Sequence, residues 1–201
     1  GLEMSTTILP LSAGVAAICG FALLIASYTI GQWFVSGMLA CLVGGLFGFL
    51  VWNFPPAKIF MGDGGSLVVG FILALMSART TFLPPDVDFN ARWYAVFAPV
   101  ILLALPIYDL VVVSAIRISR GKSPFVGDKN HFSHRLVNRG MSRRTAVLCL
   151  YLVTAATSIS AIILPQVRST LGASLIVMQT LLVLGVVMLL EQHPIDSKQR
   201  L

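Results

Sequence analysis

Between Met4 and Ala57 the chain carries no Asp, Glu, Lys, Arg or His. An uncharged run of that length accommodates two bilayer crossings at about 20 residues each. Of its 201 residues 57% are apolar and 11% charged, against roughly 25% charged in a soluble domain. A soluble globule is excluded, and the bilayer is the solvent. The net charge of +6 would suggest nucleic acid in a soluble protein, but 8 of the 14 basic residues fall between Arg117 and Arg144. A basic inter-helix loop on the cytoplasmic side accounts for them, with no nucleic-acid partner. Cys19, Cys41 and Cys149 lie in apolar runs, odd in number and without metal spacing, so they read as small apolar residues rather than a disulfide framework or zinc site.

Charge, Gly and Pro punctuation marks six apolar segments, at about residues 8–30, 33–52, 66–82, 94–116, 145–164 and 171–190. Each is predicted to be helical, because a span in lipid must satisfy its own backbone hydrogen bonds. The expected fold is all-α, a polytopic membrane helix bundle with about six transmembrane helices. It forms one membrane domain over residues 1–201, without repeats or low-complexity tracts. Trp33, Trp52, Trp93 and Tyr94 fall at segment ends, where amphipathic rings favour the headgroup level. Gly44 and Gly48 form a small-xxx-small pair that permits close helix approach. The first run lacks a basic n-region and a second span follows at once, which argues against a cleaved signal. The chain begins with Gly1, so either Met4 is the start or the chain is a piece of something longer.

The basic 117–144 loop should face the cytoplasm, and the 53–65 loop, two spans earlier, should share that face. The 83–92 loop and the turn at Pro165 then lie opposite, and both chain ends are cytoplasmic.

Two loops carry the residues suited to chemistry. In the first, Asn53 to Ser66, Gly62, Gly64 and Gly65 can turn backbone N–H groups outward ahead of a helix expected to start near Ser66, an arrangement that binds anions. Asp63 inside such a site would repel a phosphate unless a divalent cation stood between them, and Mg²⁺ is suited to one or two carboxylates plus substrate phosphates. The alternative is a turn in which Asp63 caps the helix. In the second, Asp109 lies within an apolar run eight residues before Arg117, on the same helix face. An intramembrane carboxylate costs at least roughly 2.5 kcal/mol, so Asp109 should face a polar cavity or pair with Arg117 or a neighbouring helix. His131, His134 and Arg135 could hold a diphosphate, or the loop could serve as a solvated basic surface on anionic headgroups.

Together the loops resemble the polyprenyl-phosphate N-acetylhexosamine-1-phosphate transferases, in the branch handling N-acetylglucosamine-type sugars. The residues that carry the resemblance are Asn-x-x-Pro-Ala-Lys-Ile-Phe-Met-Gly-Asp-x-Gly-Ser from Asn53, Pro-x-x-Asp ending at Asp109, Arg-x-x-x-Gly-Lys-Ser-Pro-Phe from Arg117, and Asp-Lys-x-His-x-x-His-Arg-Leu from Asp128. The resemblance implies that polyprenyl phosphate attacks the β-phosphorus of a UDP-N-acetylhexosamine, releasing UMP and leaving a polyprenyl-diphosphate sugar for cell-envelope polysaccharides. It implies Asp63 as catalytic Mg²⁺ ligand, with Mn²⁺ an acceptable substitute. Asn53, Lys58, Gly62, Gly64 and Ser66 would form the supporting loop, and His131, His134 and Arg135 would hold the nucleotide sugar. The implied setting is a bacterial inner membrane, with homo-oligomerisation open.

The chain departs from the family in three places. Ser133 stands where relatives usually carry His. Ile8, Leu9 and Pro10 stand where they carry an Asn-x-x-Asp-Gly motif ahead of Ser12, Ala13 and Gly14. The family's adjacent Asp pair and first several spans are missing. The expectation is therefore the C-terminal portion of a longer enzyme, inactive alone. The other reading is a non-catalytic membrane module binding nucleotide sugar, diphosphate lipid or a partner protein. A small transporter lacks its expected repeats and broken helix pairs.

Overall fold

Apolar side chains gain nothing by moving from lipid tails into a bundle, so helices associate in a membrane through close packing and buried polar contacts. The first apolar segment is built for that role. In a computed structural model, which describes residues 9–53, 58–80, 82–83, 92–119, 121, 123, 135–137 and 140–192, with backbone alone at 9–11, 63, 143 and 192, it forms helix α1, Leu9–Thr29. Its buried surface is made of Ala13, Ala16, Ala17, Cys19, Ala22, Leu23 and Ala26. Small residues on several faces let three helices approach it, and α1 packs on the second, third and sixth helices.

Gly31 sits at φ +76°, which a side chain would resist. Its N–H donates to Tyr28 O at 3.0 Å and that of Gln32 to Ser27 O at 2.9 Å, the bond pair of a Schellman close. The chain then reverses into α2, Trp33–Asn53. Ser27 Oγ and Ser36 Oγ meet across the turn at 2.9 Å.

Helix α3, Gly62–Arg79, is followed by a 3₁₀ turn at Trp93–Phe97, α4 at Ala98–Leu102 and α5 at Ala104–Ser119. Then come α6, Arg143–Ile163, a 3₁₀ turn at Leu164–Gln166 and α7, Thr170–Gln192. The side chain of Ser142 caps α6 by accepting from the Thr145 N–H at 3.2 Å.

All six expected segments are helical, but they are not six equal spans. Among the described residues four helices, α1, α2, α6 and α7, are long and apolar enough to cross a membrane. The fourth segment is broken, with the stretch Trp93–Leu102 meeting α5 at 65°. Pro106 explains the break, since it brings no N–H to the Leu102 carbonyl that an unbroken helix would satisfy from that position. The Cys19 thiol of α1 lies 3.6 Å from that carbonyl, so Cys19 is a weak donor where the sequence suggested only an apolar filler. The third segment starts four residues earlier than expected, and its apolar part, Gly64–Arg79, is short.

Two further expectations are corrected. Gly44 and Gly48 are exposed, and a methyl group added at either would meet nothing within 4 Å. The close approach occurs instead at Gly14, against Tyr151 of α6. Trp33, Trp52 and Trp93 are exposed, but Tyr94 is buried and its hydroxyl donates to Val167 O at 2.5 Å. It serves as an inter-helix tie rather than a headgroup anchor. Many large apolar side chains point outward, and α7 and α2 are the least enclosed of the four long helices, as expected of surfaces covered by lipid. The chain is a multi-pass membrane protein.

Candidate active site

Asn53 ends α2 and is fully buried. Its Nδ2 donates to Ile59 O at 2.6 Å, which holds the two ends of the connection to α3 together. The Lys58 N–H donates to Trp52 O at 2.9 Å, and Nζ stands 5.2 Å from the Trp52 ring centroid. A cation–π contact at so exposed a site contributes about 0.5–1 kcal/mol. Asn53 Oδ1 is buried without a hydrogen-bond partner among the described residues. Buried polar atoms are nearly always satisfied, so an oxygen acceptor stands at the base of this loop with capacity to bind.

Helix α3 begins at Gly62 rather than Ser66, so Gly62, Asp63, Gly64 and Gly65 form its first turn. Gly62 has φ +66°, a left-handed entry that glycine adopts without strain. Met61, not Asp63, holds the N-cap position, and no side chain caps the helix from there. The alternative in which Asp63 is the N-cap residue of α3 is thereby set aside. The space around Gly64 is open, while at Gly65 a Cβ would come within 2.7 Å of Met61 Cγ. One glycine leaves the turn approachable and the other admits Met61. First-turn amides need an external acceptor, and a helix N-terminus that anions can reach is suited to phosphate. Asp63 occupies that turn, where a carboxylate is favoured by the helix dipole; its side chain lies outside the described residues. Ser66 is half-buried in the next turn.

The second group gathers around Arg135. Leu136 is 1% exposed and packs with Leu105, Ala146, Leu150 and Val187. The Gly140 N–H donates to Val137 O at 3.0 Å and that of Met141 to Leu136 O at 3.3 Å, with Gly140 at φ +98°. This is again a Schellman pattern, and Met141 packs against the cluster that buries Leu136, its usual apolar partner. Arg135 Nη2 lies 2.8 Å from Glu191 Oε1 and 3.3 Å from Asp109 Oδ1, and Nε adds a bond to Glu191 Oε1 at 3.2 Å. The Tyr108 hydroxyl donates to Glu191 Oε2 at 3.3 Å. Asp109 thus pairs with Arg135, 26 positions on.

Asn53, Lys58, Gly62, Gly64 and Ser66 lie along the α2–α3 junction, while the described ion pairs of Arg135 run to α5 and α7. His131 and His134 lie outside the described residues, as does any relation between them and the first group. Glu191 and Tyr108 escaped the sequence reading. A signal was present: Glu191 is the carboxylate that ends a run from Thr170 without another charge, and such a residue at a span's edge calls for a partner. Among the described residues no three His, Cys, Asp or Glu side chains cluster as a metal cage. Mg²⁺ does not require one, because it keeps waters and takes one or two carboxylates plus substrate oxygens. Asn53 Oδ1 and a carboxylate in the first turn of α3 are hard oxygen donors of the fitting kind.

Residues 10–81 match the family model for glycosyl transferase family 4. Over 173 residues the chain is 31% identical to the probable undecaprenyl-phosphate N-acetylglucosaminyl 1-phosphate transferase of Bacillus subtilis, covering 86% of this chain and 46% of that protein. It is 42% identical over 119 residues to the decaprenyl-phosphate N-acetylglucosaminephosphotransferase of Mycobacterium leprae, covering 55% and 29%. It is 29% identical over 150 residues to the undecaprenyl-phosphate alpha-N-acetylglucosaminyl 1-phosphate transferase of Haemophilus influenzae, covering 71% and 40%. No solved structure gives a significant match. The chain spans less than half the length of these relatives. Residues 10–81 thus carry the glycosyl transferase family 4 pattern, and over part of their length the chain is similar to these three phospho-N-acetylglucosamine transferases.

Proposed function

We propose that this chain carries part of the catalytic machinery for transferring N-acetylhexosamine 1-phosphate, in the first instance N-acetylglucosamine 1-phosphate, from a UDP-sugar to polyprenyl phosphate. The observation that carries the reading is the α2–α3 junction: a glycine-lined helix N-terminus without a side-chain cap at Met61, closed by Asn53, with an unsatisfied buried oxygen at its base.

An oxygen of the polyprenyl phosphate attacks the β-phosphorus of the UDP-sugar. The bond from that phosphorus to the bridging oxygen breaks, and the bridging oxygen leaves on UMP. Phosphoryl transfer of this kind depends on alignment and charge neutralisation more than on covalent help from the protein. A phosphate monoester with a second pKa near 6 is largely dianionic at pH 7, so no strong general base is needed. Asp63 would hold Mg²⁺, with Asn53 Oδ1 in support, and the bound cation would offset the charge of the diphosphate. The amides of the first turn of α3 donate to phosphate oxygens. Lys58 adds a cation beside Trp52, and Gly62, Gly64 and Ser66 shape the approach. His131, His134 and Arg135 belong to the loop that grips the nucleotide sugar. The setting is the bacterial inner membrane, with both motif loops on the cytoplasmic side.

The test is thermal protection of the purified protein by UDP-N-acetylglucosamine with and without Mg²⁺, in wild type and Asp63→Asn. Protection that needs Mg²⁺ and vanishes in Asp63→Asn is expected. Equal protection in both proteins sinks the assignment of Asp63. Reconstitution with polyprenyl phosphate and radiolabelled UDP-N-acetylglucosamine then separates enzyme from binding module. A lipid-extractable product sensitive to Asp63→Asn identifies a catalyst, whereas binding without product identifies a module that holds the nucleotide sugar.

A further inference from the structure

We propose that Glu191, at the far end of α7, is a positioning residue for the nucleotide-sugar loop, acting through Arg135. The proposal rests on the reading of that loop given above, and it adds the last helix to the site.

A carboxylate ending a long apolar helix is costly to bury unless its oxygens are taken up. Glu191 is 9% exposed, and both its oxygens are engaged: Oε1 receives Nε and Nη2 of Arg135, and Oε2 receives the Tyr108 hydroxyl. Arg135 in turn bridges Glu191 to Asp109 at 2.8 and 3.3 Å, with side-chain exposures of 14%, 11% and 23% for Arg135, Glu191 and Asp109. A guanidinium is planar and always charged, so two carboxylates on different helices fix its orientation as well as its place. The next residue, Leu136, is sealed among Leu105, Ala146, Leu150 and Val187, and the Gly140 close ends the turn.

The segment is therefore fastened twice, by an ionic contact at Arg135 and an apolar one at Leu136. Both fastenings reach α5 and α7. In sequence, His134 is adjacent to Arg135 and His131 four positions back, so in the proposed role the anchor fixes the end of the segment that carries them. Glu191 acts through Arg135 rather than on the nucleotide sugar, and in the proposed role it sets where the loop is tied. At metal sites, removing the partners that orient ligating side chains typically costs about 10- to 100-fold in affinity or activity, and a loss at the lower end of that scale is expected here.

The test uses Glu191→Gln, which keeps the volume and removes the charge, Glu191→Asp, which keeps the charge, Arg135→Gln, and the double variant Arg135→Gln with Glu191→Gln. UDP-N-acetylglucosamine affinity in the presence of Mg²⁺ is measured at a temperature where circular dichroism shows every variant folded. Hydrogen exchange is read at Leu136, Gly140 and Met141. We expect Glu191→Gln to weaken binding about tenfold, Glu191→Asp to restore part of it, and the double variant to bind no more weakly than Arg135→Gln. Exchange should quicken at Gly140 and Met141 and stay unchanged in α1. Wild-type affinity and exchange in Glu191→Gln overturn the proposal, as do losses that simply add in the double variant. If the wild type itself fails to bind the nucleotide sugar, the functional reading falls. The exchange comparison then decides the positioning role, and unchanged exchange in Glu191→Gln ends it.

Discussion

Replacing Gly14 by alanine should destabilise the bundle more than the same change at any exposed glycine. A Cβ at Gly14 would stand 2.0 Å from the Tyr151 hydroxyl oxygen, 2.1 Å from Cζ and 2.4 Å from Cε1. Ordinary carbon contacts lie near 3.5–4.0 Å, so the ring must retreat by roughly 1.4 Å or α1 must leave α6. An off-rotamer tyrosine costs on the order of 0.5–1.5 kcal/mol, and overpacking of an ordered core costs about 1–3 kcal/mol. A loss of about 2 kcal/mol is therefore expected for Gly14→Ala. In a Tyr151→Val background the obstacle is gone, and Gly14→Ala should cost at most about 0.5 kcal/mol, giving a coupling of roughly 1.5 kcal/mol. Gly48→Ala, with nothing within 4 Å, should stay within about 0.5 kcal/mol of wild type. The assay is unfolding in detergent micelles titrated with dodecyl sulfate, followed by far-ultraviolet circular dichroism. Wild-type stability for Gly14→Ala, or an undiminished loss in the Tyr151→Val background, would refute the steric argument.

Two further outcomes are expected. Cys19→Ala should lower stability in the same assay by about 0.5–1.5 kcal/mol, because the Leu102 carbonyl left open by Pro106 loses its thiol donor, while Cys19→Ser should retain stability; a neutral Cys19→Ala removes that role. Maleimide labelling of Gly64→Cys and Ser123→Cys in sealed cells should require permeabilisation, and labelling from the outer side of either residue reverses the proposed topology.

Hydropathy located each long helix among the described residues, because the cost of a charge in lipid is large and shows plainly in sequence, as the empty stretch from Met4 to Ala57 illustrates. It could not show the break at Leu103. That break arises from a missing backbone donor at Pro106, and proline in an apolar run barely alters mean hydropathy. Nor could spacing say which small residues face a neighbour. Gly44 and Gly48 carry the familiar pattern and face outward, while Gly14, without it, lies against Tyr151. Residue type identified the α2–α3 junction as a candidate anion site. The Asn53–Ile59 closure depends on a reversal of the chain that composition leaves open. Asp109 was legible as a buried carboxylate in need of a partner. One partner, Arg135, lies 26 positions away, and a second carboxylate on Arg135 comes from the far end of α7, a juxtaposition created by tertiary packing.

The shortness of α3 has a consequence for the surrounding lipid. The apolar stretch Gly64–Arg79 rises about 24 Å at 1.5 Å per residue, whereas the hydrocarbon core is about 30 Å thick. When Arg79 reaches water at one end, the glycine end lies about a helical turn below the opposite headgroup plane, or the leaflet thins to meet it; hydrophobic mismatch of this kind costs only fractions of a kcal/mol per Å. Either way, on the topology proposed above, the first turn of α3 would lie near the depth of a membrane-anchored phosphate. The lipid acceptor proposed above could then approach by lateral diffusion, with its tail still solvated by neighbouring chains and no need to be drawn out into the aqueous phase.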